Sequence, residues 1–156
     1  MGDAPWFPMF VDLSRKRALI VGGGRVAARR AAALSMFCGQ ITLIAPRVLA
    51  EIEALPGVCV VKRPFEESDL DGADLALMAT DDPALNARGA ALCREKGIPV
   101  NVSSDPSLCD FYFPGVAVNG SVAVGVTASG RDHRLAAEVT RRVRALLAEE
   151  EWGRGE

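Results

Sequence analysis

Gly22, Gly23 and Gly24, followed by Arg25, Val26 and Ala27, form a G-x-G-x-x-A spacing. The chemistry of that spacing is the cradling of a pyrophosphate. Gly22 permits a tight turn off a strand, and Gly24 lets backbone come close to phosphate oxygens. The small Ala27 lets a helix pack tightly on a sheet. Unpaired N–H groups and the positive dipole end of that helix then face the anion. A glycine triplet alone would serve any tight turn, so its flanks carry the argument. Residues 17–21 are a short apolar run of strand length, residues 25–37 read as a helix, and residues 40–45 form a second β-like run. Strand, glycine turn, helix, strand is the opening unit of a dinucleotide-binding sheet.

The rest of the chain continues the alternation. An apolar lead-in at residues 6–11 is expected to form an edge strand. Residues 48–55 suit a short helix, 58–62 a third strand, 65–70 a turn of helix, and 75–79 a fourth strand. Pro83 suits the first turn of a helix over residues 84–95, with Asp82 as its cap and Gly97 as its stop. Residues 98–102 give a fifth strand. Strands alternating with helices call for an α/β fold, a Rossmann-type doubly wound parallel sheet. The pattern then changes. Asn119-Gly120 between two β-like runs signals a hairpin, and residues 134–151 read as a helix with apolar Leu135, Val139, Val143, Leu146 and Leu147. The expected division is a nucleotide-binding domain over residues 1–112 and a hairpin and helix over 113–156. The second part is too small to hold a core alone, so it is expected to pack on a second copy as a homodimer.

Ligands of doubly wound sheets lie beyond the carboxyl ends of the strands. Those ends are Gly22 to Gly24, Pro46 and Arg47, Thr80 and Asp81, and residues 101–105, which together form the candidate site. The acid expected about 20 residues after the glycines, to hold a ribose hydroxyl, is missing, and Arg47 stands there instead. Arg47 is either a solvated loop arginine or a phosphate contact, including the 2′-phosphate of NADP. A formal net charge of -2 argues against a general nucleic-acid or membrane-surface partner. No apolar run approaches a transmembrane span and the start lacks the pattern of a signal peptide, so a cytoplasmic protein is expected. Cys38, Cys59, Cys93 and Cys109 include no C-x-x-C pair. They are read as reduced thiols with no metal site.

Six stretches in order carry a resemblance: Pro8-Met-Phe-Val-Asp-Leu13, Val21-Gly-Gly-Gly-Arg-Val-Ala27, Arg63-Pro-Phe65, Ala79-Thr-Asp-Asp-Pro83, Val100-Asn-Val102 and Cys109-Asp-Phe-Tyr-Phe-Pro114. Over nearly its whole length the chain resembles the precorrin-2 dehydrogenase family, the dehydrogenase and ferrochelatase part of siroheme synthase. The resemblance implies a Rossmann domain with a dimerisation segment, and NAD-dependent oxidation of precorrin-2, a tetrapyrrole, to sirohydrochlorin. It places Gly22, Gly23, Gly24, Arg25 and Val26 on the cofactor turn and Pro46 and Arg47 on a second nucleotide contact. Thr80 and Asp81 fall beside the nicotinamide half, and Asn101 near the substrate. NAD is the implied cofactor, with NADP compatible.

The chemical residues depart from the family pattern. The family's aspartate in Asn-Val-x-Asp falls on Ser104, with Asp105 one place later, so Ser104 and Asp105 are the catalytic candidates. A carboxylate is a plausible general base and a neutral hydroxyl a poor one. Asp105 is alternatively a turn cap before Pro106. The family's Ser-Gly-Gly-x-Ser-Pro is replaced at residues 127–133, where Ala128 takes a serine's place, and the chain stops short of the family's C-terminal helical domain. These departures count against ferrochelatase activity and imply a more open site. His133, the sole histidine, is read as structural before it is read as a ligand. Arg131 and Arg134 are candidates for meeting the substrate's carboxylates. Two further readings remain open. One is a catalytically degenerate relative that binds NAD or a tetrapyrrole without turnover. The other is an unrelated nucleotide-sensing Rossmann module.

Overall fold

The computed structural model describes residues 6–149. It divides into two compact units: residues 11–111, and residues 6–10 with 112–149. The larger unit runs β1 (Arg17–Val21), α1 (Arg25–Leu34), β2 (Gln40–Ile44), α2 (Ala50–Glu53), β3 (Val58–Val61), β4 (Leu75–Met78), α3 (Pro83–Glu95) and β5 (Val100–Val102). Short 3-10 turns lie at Glu67–Leu70 and Pro106–Leu108.

All five strands pair in parallel in the order β3-β2-β1-β4-β5. This is the doubly wound arrangement, and its order reverses between β1 and β4, where a crevice must open. Inner strands β1 and β4 are buried on both faces: Leu19, Val21, Ala76 and Met78 join Val100 and Val102 of β5 in one core cluster with Leu70, Ala90 and Cys93, and Ala18, Ile20, Leu75 and Leu77 are buried on the other face. That is why these strands read as unbroken apolar runs rather than as an alternation. Helix α1 buries only small residues and one leucine, Ala27, Ala28, Ala31 and Leu34, so its axis sits close to the sheet. Ala27 is fully buried, as its place in the glycine motif requires. Gly89 does the same for α3, since a Cβ there would fall 2.2 Å from the Met78 methyl.

Helix α1 ends before residue 37. The Ser35 hydroxyl donates to the Ala32 carbonyl at 2.8 Å, and Met36 and Phe37 bond back three residues rather than four, which tightens and closes the last turn. Helix α3 starts as its sequence dictates. Asp82 Oδ1 accepts from the N–H groups of Ala84 and Leu85, and Pro83 occupies the first turn. Gly97 follows at φ +68.

The smaller unit contains β6 (Gly115–Asn119), β7 (Val122–Val126) and α4 (His133–Glu149). The hairpin register pairs Asn119 with Val122, so the two turn residues are Gly120 and Ser121. Only Gly120 has positive φ, +58, the pattern of a II′ turn with glycine at its first central position. Asn119 instead caps the unit: its side-chain amide donates to the Leu147 carbonyl of α4. Arg144 Nε donates to the Val116 carbonyl at 2.8 Å. A Cβ at Gly115 would lie 2.1 Å from Thr140 Oγ1. The lead-in at residues 6–11 is not the edge strand expected of it. It is irregular and pairs with no strand among the described residues. Trp6 packs on Tyr112 instead, with ring centroids 4.1 Å apart.

Candidate functional site

The crevice between β1 and β4 opens as a cleft of about 930 Å³, entirely within the larger unit. The whole glycine motif, Gly22 to Val26, lines it, together with Pro46, Arg47, Thr80 and Asp81. Every residue that the sequence assigned to the nucleotide therefore lies around one cavity. Phe65, Leu85, Arg88 and Ser103 line it as well. Arg88 escaped the sequence reading because it lies inside helix α3, ten residues past the end of β4.

The three glycines meet different surroundings. Gly22 has φ +127, and a Cβ on it would sit 2.3 Å from the Ala79 carbonyl oxygen. On Gly23 a Cβ would sit 2.0 Å from the Arg47 carbonyl oxygen, and the Gly23 carbonyl accepts from Leu49 N–H at 3.0 Å. These two glycines bring the strand ends of β4 and β2 against the turn. At Gly24 a Cβ would meet nothing within 4 Å. Gly24 is the N-cap of α1, with no side-chain cap and no acidic residue in the first turn. The helix start thus offers N–H donors and positive dipole to open space, with no acidic residue of its own first turn competing for them, which fits a bound pyrophosphate.

On the other side, Asn86 ties two loops together. It is fully buried in the first turns of α3. Its Oδ1 accepts from Thr80 N at 3.2 Å and from Thr80 Oγ1 at 2.7 Å. Its Nδ2 donates to the Thr80 carbonyl at 3.0 Å and to Ser104 Oγ at 3.0 Å. Both acceptor positions and both donors of the amide are used. Sequence reasoning missed this residue. The available signal was an asparagine inside a helix, where it is a poor former and needs a reason.

The chemical candidates are placed less uniformly. Ser103 lines the cleft, and the adjoining Ser104 is exposed. Asp105 Oδ1 accepts from Ser107 N at 2.9 Å and from Ser107 Oγ at 2.7 Å, so it caps the turn at Pro106–Leu108. Those bonds, the hydroxyl first, hold its carboxyl below the usual aspartate range. They favour the fold above the unfolded-state value and are lost as pH falls through the lowered one. Asn101 is buried and donates to the Phe111 carbonyl at 2.8 Å; its Oδ1 meets no donor among the described residues. Arg131, His133 and Arg134 belong to the smaller unit and are exposed there.

All four cysteines are free thiols. Burial pushes Cys93 up to about 11 and also raises Cys109, which leaves neither a nucleophile near neutral pH. No group of three or more potential metal ligands occurs among the described residues. Nor is any described helix long and apolar enough to cross a membrane.

A parallel sheet with its crevice at the switch point, a glycine turn and an uncapped helix start define a dinucleotide-binding Rossmann domain. Residues 9–115 match the family model described as "Putative NAD(P)-binding", and the chain belongs to that NAD(P)-binding family. Among curated proteins it is 35% identical over 144 residues to siroheme synthase of Psychrobacter sp. (strain PRwf-1), covering 90% of this chain and 30% of that protein. It is 38% identical over 128 residues to siroheme synthase of Pseudomonas entomophila, covering 80% of this chain and 28% of that protein. The chain thus spans under a third of the length of these relatives. Among solved structures it matches "SirC, precorrin-2 dehydrogenase", with a TM-score of 0.67 and 25% identity over 90% of this chain and 71% of that one.

Proposed function

We propose that this protein is an NAD-dependent dehydrogenase that oxidises precorrin-2 to sirohydrochlorin. The observation that carries the reading is the single cleft that gathers the glycine motif, Arg47 and Thr80 in a chain whose fold matches a precorrin-2 dehydrogenase. The backbone of Gly22 to Gly24 and the start of α1 hold the pyrophosphate, with Arg25 and Arg47 adding positive charge. Thr80 and Asp81 border the nicotinamide half. When bound, NAD supplies the two-electron acceptor for the hydride. Substrate loses one hydride and one proton in each such oxidation. Asp105, held by Ser107 with a lowered pKa, is a weak base near pH 7, so the proton leaves to solvent. Arg88 lies in the cleft as a cation suited to a substrate carboxylate, beside the roles read for Arg131 and Arg134. With no acid after β2, NAD binds through its phosphates rather than through a ribose-specific carboxylate, and NADP is accepted as well.

Anaerobic incubation with precorrin-2 and NAD is expected to give sirohydrochlorin absorbance and NADH in equal amounts. Absence of enzyme-dependent turnover, with NADH still bound in calorimetry, would favour the degenerate binder, a reading supported by Ser104 in the aspartate's place. Adding ferrous iron to the same reaction is expected to give no enzyme-dependent siroheme.

The smaller unit supports a homodimer. On α4, Leu135 is 51% and Leu146 58% exposed, and Val118 of the hairpin is 43% exposed. Isolated exposed apolar residues are ordinary, but a unit of roughly 40 residues with one hairpin and one helix buries little core of its own and is usually completed by association. Light scattering at micromolar concentration is expected to give twice the chain mass, and Leu146→Glu to shift it toward one. A monomer throughout would remove the dimer.

A further inference from the structure

We infer that Asn86 is a positioning residue that fixes the Ser104 hydroxyl as an outward hydrogen-bond donor to the tetrapyrrole. The inference rests on the proposed dehydrogenase reading and adds to it how the substrate side of the site is set.

The amide orientation is determined by chemistry. Thr80 N can only donate, at 3.2 Å, so the atom facing it is the amide oxygen. The Thr80 carbonyl can only accept, at 3.0 Å, so the atom facing it is the amide nitrogen. The second hydrogen on that nitrogen is then directed at Ser104 Oγ, 3.0 Å away. A hydroxyl that accepts from an amide retains its own hydrogen for another acceptor. Ser104 is exposed, so that hydrogen is available to a ligand, and it adjoins Ser103 in the cleft wall. Tetrapyrrole carboxylates accept hydrogen bonds and do not donate them when ionised. Asn86 therefore sets Ser104 to the polarity that the substrate needs. Its complete burial keeps water from the amide's own donors and acceptor.

Asn86 also makes three bonds to Thr80 on the cofactor side. One buried amide thus joins the loop after β4 to the loop after β5. A purely structural asparagine would affect stability without respect to which ligand is bound. A positioning asparagine affects the tetrapyrrole selectively and only through Ser104.

Asn86→Asp separates the two. The variant retains an oxygen for Thr80 N–H and Oγ1, and its second oxygen, kept protonated by complete burial, donates to the Thr80 carbonyl in place of the amide. That oxygen has only a lone pair left for Ser104, whose hydrogen then turns inward to the new carboxyl and is withdrawn from the ligand. Affinities for NADH and for sirohydrochlorin would be measured by fluorescence titration for wild type, Asn86→Asp, Ser104→Ala and the double variant. Each single variant is expected to weaken sirohydrochlorin binding about tenfold, the range of one charge-assisted hydrogen bond. The double variant should be no weaker than Ser104→Ala, and NADH affinity should stay within about threefold throughout. Additive losses, or equal losses for both ligands, would overturn the inference. Wild-type binding of NADH without sirohydrochlorin would overturn both the inference and the proposed substrate. Intact binding with no turnover would sink only the dehydrogenase reading.

Discussion

Gly22→Ala is expected to lose about 3 kcal/mol of stability or more, whereas Gly24→Ala should fold nearly as well as wild type. The first substitution sets a methyl 2.3 Å from a carbonyl oxygen of the neighbouring strand end while the backbone stays at φ +127. Neither the oxygen nor the turn can move without breaking the β1–β4 pairing, because the Ala79 N–H bonds to the Val21 carbonyl at 2.8 Å immediately beside it. A loss of that size takes a large share of the 5–15 kcal/mol by which a domain of this kind is stable (roughly,). Gly24 has an ordinary extended backbone, φ -91, and open space around it. Alanine is a poorer N-cap, which costs about 1 kcal/mol or less. Its methyl would nevertheless occupy the space a pyrophosphate must approach, so NADH affinity should fall about tenfold or more. Thermal melts and calorimetric titration of the two variants separate the roles. Gly24→Ala binding NADH as wild type does would mean that the phosphates do not rest on this backbone.

Ser104→Asp is expected to weaken sirohydrochlorin binding by about a hundredfold and to leave kcat no higher than wild type, because a carboxylate replaces the hydroxyl that donates to the substrate's carboxylates. The new carboxylate would accept from Asn86 Nδ2, which stands 3.0 Å from the Ser104 oxygen, and the exposed setting keeps it ionised. It is then no stronger a base than Asp105. In steady-state assays at saturating NAD, Asp105→Asn should leave wild-type kcat within about threefold, since Asp105 is engaged by Ser107. A rise in kcat with Ser104→Asp would show that a carboxylate at this place takes the proton, and loss of activity in Asp105→Asn would identify Asp105 as the base.

The amino-acid sequence by itself determined the sheet and the cofactor side. Unbroken apolar runs at β1 and β4, too short for helices, marked strands buried on both faces, and the glycine spacing could be read because its logic is local: turn, close approach, helix start. Asp82 and Pro83 likewise announce α3 from adjacent positions. Local signals failed where a distant partner decides. The lead-in at residues 6–11 has strand composition but a proline and no strand beside it, and α1 closes early through a hydroxyl bonded to its own backbone. Only the tertiary structure showed that Gly23 is required by the carbonyl of Arg47, that Arg88 faces the same cleft as Arg47, and that Asn86 joins Thr80 to Ser104. Those facts depend on residues far apart in the chain, 18 positions for Asn86 and Ser104 and 24 for Gly23 and Arg47, meeting at strand ends, and hydrogen-bond geometry between such residues leaves no periodicity in sequence. It arises only when the parallel crossovers bring the ends of β1, β2, β4 and β5 to one edge of the sheet.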